Sequence, residues 1–192
     1  MNSQTGDGPP RSLLIAALVV AVGAVVAVLV VAAVLQRPAA RAPIAITSVP
    51  APRADSPECR ALIEALPEQL GDYRRAAVLE PAPAGAAAWQ TESGGEALIL
   101  RCGLDRPAEF VVGSPIQVVD AVQWFRVGEA GAGNDRVGEA GNGGRSTWFA
   151  VDRPVYVALT LPSGSGSTPI QALSATITGS LRATAIDPAP AR

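Results

Sequence analysis

The spacing of apolar positions changes along the chain, and each change predicts a different element. Leu13 to Leu35 reads LLIAALVVAVGAVVAVLVVAAVL, a run without a charged or strongly hydrogen-bonding side chain. At about 1.5 Å per residue it reaches roughly 34 Å, enough to cross the hydrocarbon core of a bilayer. A transmembrane helix is therefore expected at 13–35, after a short tail at 1–12. A cleaved signal peptide is the competing reading, because small residues follow in RPAARAPIA, but its apolar region is normally only about 7–15 residues long. The prolines of residues 36–55 deny that stretch regular helix and predict an extended linker.

Beyond the linker the period becomes helical. In SPECRALIEALP, Ser56 is a candidate cap, Pro57 suits the first helical position, and Pro67 stops the helix. Cys59, Leu62, Ile63 and Leu66 fall at i, i+3, i+4 and i+7, so Cys59 shares the core-facing stripe. The period then drops to two. In LILRCG, Leu98, Leu100 and Cys102 share one face while Ile99 and Arg101 share the other, the pattern of a strand buried on one side. Further strands are expected at 73–80, 115–127, 146–151 and 155–161, with Asp152-Arg153-Pro154 as a tight hairpin turn between the last two. Thr168 and Pro169 repeat the cap-then-proline device before a final helix with Ile170, Leu173 and Ile177 on one face. The expected fold class is α+β: a transmembrane helix, then a small, mostly antiparallel sheet of four or five strands covered by two helices. The globular domain is placed at 56–185, with a C-terminal tail at 186–192.

Two inward cysteines, one on a helix packed over the sheet and one on a strand of that sheet, are plausible bridge partners. Closing a loop of about forty-four residues is worth roughly 4 kcal/mol in the chain-entropy treatment. Two buried thiols acting as small hydrophobes are the alternative. Such a bridge belongs outside the reducing cytosol. The charges flanking the span point weakly the other way: Arg11 precedes it, while Arg37, Arg41 and Arg53 follow, and a positive-inside count favours a cytoplasmic C-terminal domain. The cysteines carry more weight, so the domain is expected on the extracytoplasmic side of the cell membrane.

Composition narrows the chemistry. All 15 basic residues are arginine, the usage of a GC-rich genome, and there is no histidine. This excludes a Ser-His-Asp triad, a Cys-His dyad, an imidazole metal site, a lysine Schiff base and a P-loop lysine. Scattered arginines and a formal net charge of -2 speak against nucleic acid as a partner. The cysteine spacing excludes a C-x-x-C redox site. Residues 126–135 and 136–145, RVGEAGAGND and RVGEAGNGGR, form a tandem decapeptide repeat that reads as a lengthened hairpin loop, since its glycines lack phosphate-loop spacing. Asp120, Glu129, Asp135 and Glu139 lack the order of a calcium loop, so no metal and no cofactor is expected.

SPECRALIEALP, YRR, AAW, LILRCG, VQWF and TWFAVDRPVYVALTLP together resemble an actinobacterial membrane-protein family, domain of unknown function 3515, over about residues 56–182. The most specific pieces are Leu100-Arg101-Cys102-Gly103 and Asp152-Arg153-Pro154 followed by Val155-Tyr156-Val157. Relatives carry a short W-G-x-P lead into the L-R-C-G strand, whereas here Trp89 is followed by QTESGGEA. The resemblance implies a single-pass, envelope-facing protein of a high-GC Gram-positive bacterium, and no reaction.

The function expected is a non-catalytic binding or scaffolding domain tethered to the bilayer through Leu13 to Leu35, with an envelope or membrane protein as candidate partner. Arg101, Asp152, Arg153 and Trp148 are the candidate binding residues: the arginines as bidentate anion donors, Trp148 as an aromatic anchor alongside Trp89, Trp124 and Tyr156. For each aromatic a place in the core is the competing expectation, and for Asp152 and Arg153 a solvated turn pair. The alternative function is a small envelope-processing hydrolase using carboxylates or a serine; no G-x-S-x-G or S-x-x-K motif supports it, and no catalytic residue is assigned.

Overall fold

The computed structural model describes residues 11–35, 42–128 and 144–191. The chain divides into two compact units, 1–40 and 41–192. The first contains α1 (Arg11–Leu35). Its Leu14–Ala32 portion makes it the one helix among the described residues that is long and apolar enough to cross a membrane. Leu18, Val19 and Val28 are typical of its exposed apolar surface, the surface a bilayer would cover.

The second unit holds α2 (Pro57–Ala65), β1 (Gln69–Leu70), β2 (Tyr73–Ala76), β3 (Ala86–Thr91), β4 (Leu98–Leu104), β5 (Ile116–Val119), β6 (Val122–Gly128), β7 (Ser146–Ala150), β8 (Tyr156–Leu161) and α3 (Thr168–Ser180). The strands form one antiparallel sheet in the order β1-β2-β3-β4-β8-β7-β6-β5. It consists of two meanders, β1 to β4 and β5 to β8, joined along β4 and β8. The sheet has eight strands and is larger than the four or five expected. The region 115–127 is not one strand but the hairpin β5–β6, turned at Asp120, which takes φ 52°. The connection between β7 and β8 runs from Val151 to Val155 and is longer than a tight turn.

α2 and α3 cover one face of the sheet, as expected, and touch each other. Ser56 caps α2 by accepting from the Cys59 N–H at 3.2 Å. In α3 the cap is Ser167 rather than Thr168, and its side chain makes no capping bond. Between helices and sheet lie Leu62, Leu66, Trp89, Leu98, Leu100, Trp124, Leu159, Leu173 and Ile177, all buried. Two indoles in this layer are satisfied by neighbours: Trp89 donates to the Pro67 carbonyl at 2.9 Å and Trp124 to Ser174 Oγ at 2.9 Å. Unsatisfied, each buried N–H would cost about 1–3 kcal/mol.

The opposite face is covered in pieces. Residues 42–55 are extended as their prolines predict, yet they lie on the sheet instead of leading freely into it. Ile44 bridges Val78, Ile46 packs on Ala76 and Ala88, and Arg53 and Ala54 cross the end of β4. At the far end Phe110, Phe125 and Val151 form a second apolar cluster, joined by Ile186 from the C-terminal segment, whose Ala189 bridges Val111. The decapeptide repeat begins inside β6, whose last three residues are Arg126, Val127 and Gly128, and runs up to β7; its residues 129–143, with Glu129, Asp135 and Glu139, lie outside the described residues.

Candidate functional site

The four residues of β4 that stand out in the sequence each meet a different demand. Leu100 and Cys102 point into the helix-covered core and are fully buried. Cys102 is bonded there to Cys59 of α2, with Cα atoms 5.6 Å apart. Gly103 has φ +85°, and a Cβ on it would stand 2.3 Å from the Ala54 nitrogen. Only glycine lets residues 53–54 cross so closely, and there the Arg53 N–H donates to the Gly103 carbonyl at 3.0 Å. The sheet register shifts at this point, between Cys102 and Leu104.

Arg101, the remaining residue, projects to the other face. Across the sheet its register partners are Ala86 on β3 and Ala158 on β8, and Ala158 in turn faces Phe149 on β7. The small side chain of Ala158 leaves a dip between the guanidinium and the Phe149 ring. Residues 49–50 and the segment after β4 wall the dip into a trough of about 470 Å³. Its apolar lining comes from Val49, Pro50, Leu104, Pro107, Phe149 and Ala158. Its polar groups are Arg101, Asp105 and the hydroxyls of Thr147 and Thr160, which are 3.1 Å apart. The volume falls within the range of small-molecule sites.

Arg101 is under-partnered for a half-buried cation. Its Nε is buried without a hydrogen-bond acceptor, and a single terminal nitrogen donates, over 3.3 Å, to the Thr47 carbonyl. Among the described residues no carboxylate lies within 4.0 Å of it. Desolvation by the surrounding protein lowers its pKa from the ordinary arginine value, with no neighbouring charge to offset the burial.

The other candidate residues do not converge on this trough. Trp148 is half-buried on the helix-covered face, where it donates to Ser146 Oγ at 3.1 Å and carries Arg126 5.7 Å above its ring. Asp152 and Arg153 are not a solvated turn pair: both are buried and ion-paired at 3.0 Å. Arg153 also donates to the Ala121 carbonyl at 2.7 Å, tying the β7–β8 connection to the β5–β6 turn. That is a structural task. Trp89 and Trp124 are core residues, and Tyr156 is half-buried on the second face beside Asp187, whose carbonyl accepts from its hydroxyl at 3.4 Å. Ala158, Phe149, Thr147 and Thr160 carry no chemical signature in the sequence, yet they form the floor beside Arg101. Among the described residues no group of three or more acidic or cysteine side chains is arranged to hold a metal.

The family described as "Protein of unknown function (DUF3515)" matches residues 18–186, and the chain belongs to it. No curated protein and no solved structure matches the chain.

Proposed function

We propose that this chain is a membrane-anchored protein of a bacterial cell envelope whose C-terminal domain lies outside the cytoplasm and binds a ligand or partner without catalysing a reaction. The observation that carries the reading is the fully buried Cys59–Cys102 bridge in a chain that also has a helix fit to span a bilayer. A disulfide joining a helix to the central sheet belongs to an oxidising compartment. The arginine-only basic residues fit a GC-rich bacterial source. Binding is favoured over catalysis because the trough holds a single carboxylate, Asp105, and not the pair of acids that carboxylate-based hydrolysis needs, and the chain has no histidine.

Fusions at the C-terminus test the placement. Alkaline phosphatase, which folds only where its own disulfides form, is expected to be active there, and a fluorescent protein that matures only in the cytoplasm to be dark. The reverse pattern overturns the proposal. Carbonate-washed membranes are expected to retain the chain with its N-terminal residues intact; recovery of a shortened soluble form shows a cleaved leader instead of an anchor.

A further inference from the structure

Arg101 presents a geometry that the rest of the domain does not explain. A guanidinium offers five N–H donors, and here one of them is engaged, weakly, while Nε is buried and unpaired. Two exposed arginines have carboxylate partners, Arg74 with Glu92 at 3.2 Å and Arg106 with Asp187 at 3.0 Å, and the half-buried Arg75 and Arg126, which have no ion pair among the described residues, lie over the Trp89 and Trp148 rings. Arg101 has neither an ion pair nor a ring contact among the described residues. Burying a cation without a counter-charge is costly, and here the cost falls on a side chain that lines the trough beside an alanine too small to fill it.

We propose that the trough binds a small amphipathic carboxylate, with Arg101 pairing the carboxylate and the apolar body lying over Ala158 and Phe149 toward Val49 and Leu104. Arg101 is the trough's one cation and is not ion-paired with Asp105, which is exposed and so screened by water. It can take one carboxylate, whereas a phosphate dianion would bring a second negative charge toward Asp105. The lining selects an apolar body, since the greater part of the wall is hydrocarbon. The Thr147 and Thr160 hydroxyls, already 3.1 Å apart, sit where they can donate to or accept from a polar substituent. This inference rests on reading the domain as a binding module, and it names the site and the ligand chemistry.

The test uses the full-length protein in nanodiscs of phosphatidylcholine, with 4-phenylbutyrate as probe and 4-phenylbutanol, 4-phenylbutylamine and inorganic phosphate as comparisons. Methyl resonances of Ala158, Thr147, Thr160 and Leu104 report binding. Phenylbutyrate is expected to shift them in the millimolar range typical of a fragment, with the alcohol, the amine and phosphate each weaker by roughly tenfold or more. Arg101→Gln is expected to weaken phenylbutyrate by about the same factor, and Ala158→Leu, which fills the floor, to abolish its binding. The comparison of acid with alcohol is made on the unaltered protein and stands whether or not either variant folds. Equal binding of acid and alcohol, phosphate binding as well as the acid, or no methyl shift with any probe overturns the proposal. None of these results depends on which side of the membrane the domain occupies, so the fusion experiment and the titration fail independently.

Discussion

Trp124 of β6 donates its indole N–H to Ser174 Oγ of α3 at 2.9 Å, and Ser174 passes the chain on by donating to the Ile170 carbonyl at 2.8 Å. Both side chains are fully buried. A serine inside a helix is ordinarily neutral or mildly unfavourable; here it is the acceptor that makes a buried tryptophan affordable. Ser174→Ala is expected to cost about 1–3 kcal/mol by orphaning the indole N–H. Trp124→Phe in the alanine background is expected to cost less than Trp124→Phe alone, a coupling that a double-mutant cycle in urea measures. Additive costs would show that the bond contributes nothing.

The Cys59–Cys102 bridge closes a loop with a sequence separation of 43. Its removal by the double substitution to alanine is expected to lower stability by about 4 kcal/mol, or roughly 10–15 °C in Tm for a domain of this size. Reductant should leave the folded protein untouched until it is partly unfolded, because both sulfur-bearing residues are shielded from solvent. Rapid modification of both thiols in native protein under non-reducing conditions would contradict the bridge.

Gly103→Ala places a methyl group 2.3 Å from the Ala54 nitrogen at a φ that L-residues avoid. The expected result is a loss of about 3 kcal/mol or more, together with new protease cleavage within residues 42–55 as that segment is pushed off the sheet. Gly94→Ala, which has φ +82° but open space around it, separates the two effects: it should suffer only the backbone penalty of about 1 kcal/mol.

Arg101→Met is expected to leave the melting temperature unchanged or to raise stability by up to about 1 kcal/mol, the half-exposed position moderating the gain. Removing a desolvated cation that has no ion pair among the described residues relieves a cost, whereas removing an arginine that anchors the fold would not. A large loss of stability in Arg101→Met would show that its structural contacts have been undervalued.

The period-two pattern from Leu98 to Cys102 and the helical stripe of Cys59, Leu62, Ile63 and Leu66 carried enough information to place both cysteines inward and Arg101 outward, and the structure has all of them so. What the pattern hid has physical reasons. β3 opens on Ala86-Ala87-Ala88, residues with little β propensity of their own, held in the sheet by pairing with β2 and β4. The turn at Asp120 lacks the Asn-Gly or Asp-Gly signature that marks a two-residue hairpin, so β5 and β6 read as one run. Residues 42–55 have the composition of a spacer, and the contacts that hold Ile44 and Ile46 come from strands far along the chain. The trough was half legible: Arg101 was visible, but Ala158 and Phe149 become its neighbours only through the β4–β8 and β8–β7 registers. Asp152 and Arg153 misled in the opposite sense, since adjacent opposite charges in a turn suggest solvent and a dipeptide cannot reveal that the surrounding loops close over it.

The pairing of β4 with β8 also sets the pace at which the domain assembles. Within each meander every strand pairs with its predecessor, so both halves can zip from local hairpins. Ile99 and Thr160 meet only after the whole intervening chain has been drawn into a closed loop, and that entropy is lost before the contact returns anything. High contact order of this kind places folding on the millisecond-to-second scale. A newly made chain therefore exposes two unpaired sheet margins while it waits, which makes this central seam the step at which a chaperone has time to act.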